Sequence, residues 1–177
     1  VGESPGKKGG KAVFVLQKAE GSREERYEHL LKQAESLLEG ERDWVANLAN
    51  AASLLYFSLE QVNWCGFYLL RGGELLLGPF MGKPACVRIP LGKGVCGTAA
   101  ARRETQVVPD VFQFPGHIAC DADSRSEIVV PMMPEGRLVG VLDIDSPVKN
   151  RFDALDQKYL EQFVEKLIRH IDWSPVK

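Results

Sequence analysis

The chain has 177 residues, enough for one domain with a sizeable core. Hydrophobic residues make up 45% and charged residues 26%, as in ordinary globular proteins, and the net charge of −2 speaks against a nucleic-acid partner, which leaves a basic footprint. No apolar run approaches the roughly 18 residues of a membrane span, and the apolar stretch at 12–16 is too short for a secretory signal, so neither is expected.

Residues 1–22 are rich in Gly, Lys and Ser and read as a mobile arm with a short extended piece at 13–16. In SREERYEHLLKQAESLLEGE, Tyr27, Leu30, Leu31, Ala34, Leu37 and Leu38 recur at helical spacing, with Ser22 as N-cap and Gly40 as stop. A second helix starts near Asp43, and its broad apolar face predicts deeper burial. The period then changes. NWCGFYLL and GELLLGPF read as strands joined by an RGG hairpin, and ACVRIPL as a third strand. GKGVCGTAAARRE reads as a glycine turn leading into a short helix, TQVVPD as a strand, and 111–124 as a loop. SEIVVPMM and GRLVGVLDIDS pair across a PEG turn. The last helix carries one apolar stripe from Leu155 to Ile171, with Asp153 as N-cap. Because no regular crossover helices separate the strands, the order predicts an α+β fold: a central antiparallel sheet with helices covering one face, in a single domain over residues 23–174.

Four cysteines lie in two kinds of setting. Cys65, among aromatics, reads as a packed thiol. Cys86, Cys96 and Cys120 lie beside Gly, Pro or polar residues in GKPAC, GKGVCG and GHIAC. Each alone is as well explained by packing; together they point to a thiol–disulfide system in a reducing, cytoplasmic compartment. No CxxC pair is present, and the spacings fit no zinc finger.

Asp143 and Asp145 are two apart in one strand and so share a face, which Glu127 of the neighbouring strand can join. The three acids are either a solvated strand end or a seat for a cation. A primary ammonium fits better than a metal, to which His117 and Cys120 could add ligands; no metal is expected. Trp64 and Tyr68, four apart on a strand, are core or form a wall for a polarizable group such as a methyl sulfur. LGKGVCG lacks the spacing of a phosphate-binding loop.

NWCGFYLL, GPFMGKPACVRIPLGKGVCGTAA, TQVVPDVFQFPGHIACDADSRSEIVVPM, GVLDIDSP and RFDALDQKYLE together resemble the free methionine-R-sulfoxide reductases, a family of GAF-domain enzymes, over about residues 27–171. The resemblance implies a GAF fold, commonly in a homodimer. It also implies reduction of free L-methionine-R-sulfoxide, with no cofactor beyond an external dithiol such as thioredoxin. By the same resemblance Cys120 attacks, Cys86 resolves, Cys96 is an auxiliary thiol, and Trp64, Tyr68, Glu127, Asp143 and Asp145 bind substrate. Cys65 departs from the pattern and adds a thiol able to form an off-path disulfide. The other expectations for this chain are a non-catalytic ligand-sensing GAF domain, a thiol redox sensor, and a reductase that also takes peptide sulfoxides.

Overall fold

The computed structural model describes residues 13–176. Two helices open it, α1 (Arg23–Leu38) and α2 (Trp44–Ser58). Strands β1 (Trp64–Arg71), β2 (Glu74–Met81) and β3 (Arg88–Pro90) follow, then helix α3 (Gly94–Arg102) and strand β4 (Gln106–Val108). Strands β5 (Ser126–Met132) and β6 (Gly140–Ser146) precede the last helix, α4 (Ala154–His170). The strands form one antiparallel sheet in the order β3-β2-β1-β6-β5-β4, so β1 and β6 lie at its centre.

Local chemistry sets the boundaries. Ser22 caps α1 by accepting from the Glu25 amide, and Gly40, at φ 77°, turns the chain out of it. Asp153 and Asp156 close a capping box on α4. β3 is shorter than ACVRIPL suggests, because the Cys86 carbonyl accepts from the Tyr68 hydroxyl (2.8 Å) and residues 85–86 stay outside the ladder. Of the arm, residues 1–12 lie outside the described residues. Residues 13–16 are not a strand; Phe14 packs on the core, and the Gln33 amide donates to the Gln17 carbonyl at 3.0 Å.

Helices cover both faces of the sheet, not one. α2 and α4 pack on the face that carries Cys65, Phe67, Leu69, Ile128, Val130, Leu142 and Ile144, and α1 packs against both of them. The small helix α3 packs on the other face, against Trp64, Tyr68, Val129 and Val141. α3, short and linked to β3 and β4 by tight turns, covers the face of the sheet that the long helices leave bare.

Candidate active site

The period of two gathers the site. On β1, Trp64 and Tyr68 point toward α3, and the same face carries Glu127 on β5 and Asp143 and Asp145 on β6. Register makes them neighbours: Asp145 lies opposite both Trp64 and Glu127, while Gly66 and Val129 flank Asp143. Gly66 has a steric reason, since a Cβ there would come within 2.3 Å of the Phe80 Cβ. Trp64 thereby stacks between Phe80 (5.2 Å between centroids) and Tyr68 (5.9 Å), with its indole N–H donated to the Lys83 carbonyl. The two rings form a fixed wall. Phe80 was not singled out by sequence; its signal was the Gly66 opposite it in the hairpin.

The thiols close the other side. Cys86 and Cys120 form a disulfide with Cα atoms 5.4 Å apart. It joins the segment before β3 to the 111–124 loop, and an exposed Lys83–Asp123 ion pair at 2.7 Å bridges the same two segments. Cys96, in the first turn of α3, stays a free, buried thiol behind the disulfide. Trp64, Tyr68, Cys96, Cys120 and the three carboxylates enclose one cavity of about 40 Å³. Cys65 lies on the opposite face, within the core between the sheet and the long helices. The sheet itself separates it from the other thiols, so the off-path disulfide expected for it has no route.

Electrostatics distinguish the acids from ordinary surface carboxylates. Burial, reinforced by the charges of Asp143 and Asp145, pushes Glu127 well above the usual carboxyl range. Burial does the same for Asp145, with the Asp143 charge adding to it. Asp143 is also raised by burial, but hydrogen bonds from Glu127, Cys96 and Asp145 favour its ionised form and hold the rise back. The cluster therefore holds protons that exposed acids would have lost, with the ionised form most favoured at Asp143. Cys96 is raised well above the ordinary thiol range by burial and by the Asp143 and Glu127 charges, so it rests as a neutral thiol.

Two basic side chains, Arg125 and His117, differ in what they can do. The Arg125 guanidinium donates to the Ala122 and Ser124 carbonyls and lies over the Phe112 ring at 5.1 Å. His117 lines the cavity with its Nδ1 buried and without a partner, and burial lowers its pKa, which leaves a neutral imidazole able to accept a proton.

A six-stranded antiparallel sheet of this topology, with a ligand-sized face under a small helix, defines a GAF domain, and the GAF domain family matches residues 22–171. Protein YtsP of Bacillus subtilis is 59% identical over 157 residues, covering 88% of this chain and 96% of that protein. Free methionine-R-sulfoxide reductase of Escherichia coli is 52% identical over 143 residues, covering 81% of this chain and 87% of that protein. The substrate-bound structure of the Neisseria meningitidis free methionine-R-sulfoxide reductase superposes with a TM-score of 0.86 at 45% identity, over 89% of this chain and 95% of that one. Within the GAF domains, the chain belongs to the free methionine-R-sulfoxide reductase family.

Proposed function

We propose that this protein reduces free L-methionine-R-sulfoxide to L-methionine, using Cys120 as nucleophile and Cys86 as resolving thiol. The observation that carries the reading is the Cys86–Cys120 disulfide closed over a cavity lined by three buried carboxyl groups and an aromatic wall. Asp143 and Asp145 take the substrate ammonium, and the Trp64 and Tyr68 rings take the methyl sulfur end. Glu127, protonated by its burial between two aspartates, donates to the sulfoxide oxygen and makes the sulfur electrophilic. His117 accepts the Cys120 proton. The Cys120 thiolate attacks that sulfur and the oxygen passes to Cys120: the sulfoxide sulfur is reduced by two electrons, Cys120 is oxidised to a sulfenic acid, and methionine leaves. The Cys86 sulfur then attacks Cys120 Sγ; the S–S bond forms, the S–O bond breaks, and water departs with the Cys86 proton.

The disulfide is returned to two thiols by an external dithiol, thioredoxin or a protein like it, which leaves as its own disulfide. That cycle belongs in the cytoplasm, where the pool keeps such dithiols reduced, and the free thiols Cys65 and Cys96 agree with that setting. The working unit is a homodimer, as the family resemblance implies. An amide nitrogen cannot replace the ammonium without leaving buried carboxylates unpaired, so peptide-bound sulfoxides are excluded.

The test is turnover of free L-methionine-R-sulfoxide with dithiothreitol as donor, compared with the S epimer, an N-acetylated sulfoxide and the Cys120→Ser variant. Turnover confined to the free R epimer and lost in Cys120→Ser is the expected result. Saturable binding without turnover would instead identify a ligand-sensing GAF domain.

A further inference from the structure

The reaction above leaves one group in the site without a task, the Cys96 thiol. It lies where it can ligate. One donor atom each from Cys96, Glu127 and Asp143 come within 4.8 Å of one another, and all three residues are buried. Asp143 is 5% exposed and lines the cavity, and its Oδ1 meets no donor apart from the titratable protons of Glu127, Asp145 and Cys96, which a cation displaces. An orphaned, buried carboxylate oxygen aimed into a cavity is a position for a cation. While the disulfide is closed the cavity is about 40 Å³, room for an ion with a water but not for an amino acid. Asp145 lines the same cavity as a third carboxylate.

We propose that Cys96, Glu127 and Asp143 form a binding site for a borderline-soft divalent cation, zinc above all, which occupies the ammonium position and keeps substrate out. One sulfur and two carboxylate oxygens, with a water or Asp145 as fourth ligand, match the tetrahedral S/O preference of zinc. The thiolate selects against magnesium and calcium, which take oxygen alone. Binding is a proton exchange without electron transfer: the Cys96 S–H bond breaks, the S–metal bond forms, and the thiol proton and any carboxyl protons go to solvent. The cation also relieves the mutual repulsion of the cluster. The donors stand together while Cys86 and Cys120 are joined.

Cadmium is the probe, because a thiolate–cadmium bond gives an ultraviolet charge-transfer band that reports binding without activity. The protein used is Cys86→Ser/Cys120→Ser, in which Cys96 and Cys65 are the remaining thiols. A stoichiometric band, abolished by adding Cys96→Ser, is the expected result. Absence of the band, or its survival in that triple variant, overturns the site. Asp143→Asn, which keeps the thiol, weakens cadmium binding by about tenfold or more; unchanged affinity removes Asp143 as a ligand and overturns the proposal. Free L-methionine displaces the metal if both use the acids, and failure to displace it overturns the exclusion of substrate. That last arm rests on the reductase reading, whose own failure shows separately as absence of turnover in the metal-free wild type.

Discussion

The two free thiols lie on opposite sides of the sheet and have opposite fates. Cys65 follows Trp64 and so turns into the main core, while Cys96 reaches the acids from α3. Both are raised by burial, so neither is a nucleophile at rest. Cys65→Ala is therefore expected to cost about 1 kcal/mol of stability through lost packing, with kcat and KM for the sulfoxide unchanged; denaturant unfolding and steady-state kinetics check both halves. The acids divide differently. Glu127→Gln keeps the shape of the side chain and removes the acid, so the loss falls on kcat, by roughly 100-fold or more, with little change in KM. In Asp143→Asn the ammonium loses an ionised partner, and the loss falls mainly on KM. A reversed split between the two variants would exchange their roles. The pairing of roles with residues was partly legible in the chain. Asp143 and Asp145 share a face by alternation, and the same alternation places Cys65 opposite Trp64. The contact of Cys96 with Asp143 was not, because no periodicity relates a residue on a helix to one on a strand nearly fifty positions on.

Among the elements, the 111–124 loop and the segment before β3 decide when the site is open. Joined by the disulfide, they leave about 40 Å³, far below the roughly 300–1,000 Å³ of typical small-ligand pockets. Substrate then binds only after the disulfide is reduced and the loop, hinged near Gly116 at φ 73°, moves out. Oxidised protein is expected to show no heat of binding with free L-methionine in calorimetry, and Cys86→Ser, which cannot close, is expected to bind it; equal binding by both would exclude the gating. α4 provides a separate test of the frame. Asp156, 1% exposed, takes the Tyr27 hydroxyl and the Arg23 and Arg151 guanidinium groups while completing its capping box. Asp156→Ala strands Arg151 and is expected to cost about 3 kcal/mol, read as a lowered denaturation midpoint with an unchanged m-value. The helices and strands themselves were readable, since α1 and α4 each bury one regular stripe, and β1 and β6 are short, largely apolar runs buried on both faces. The side of the sheet that α3 covers was not, because a tight turn permits return over either face. The disulfide partners were legible only through family resemblance, for three thiols in similar glycine-bearing segments allow several pairings.

For the whole molecule, the site is a standing cost to stability. Three carboxyl groups share one buried face, and the folded state holds their protons more tightly than the unfolded chain does. Below the ordinary carboxyl pKa of about 4 both states are protonated and the cluster costs no ionisation energy. As pH rises past that value the unfolded chain releases protons first, so the unfolded state binds fewer, and stability falls with pH until the buried groups ionise too. The sign is the reverse of that for Asp153, whose carboxyl is held well below its usual range chiefly by Arg23, and whose contribution is lost as pH drops. Glu127→Gln removes one of the three proton holders and leaves its shape. Its melting temperature is therefore expected to exceed that of the wild type at neutral pH, and the difference to shrink toward pH 4 as the wild-type acid regains its proton in both states. Thermal unfolding of the two proteins across that range decides it. A variant less stable than wild type at every pH would mean that Glu127 is a structural hydrogen-bonding group rather than an acid kept protonated for chemistry. A variant more stable but inactive would show that the fold gives up stability to keep a proton beside the sulfoxide.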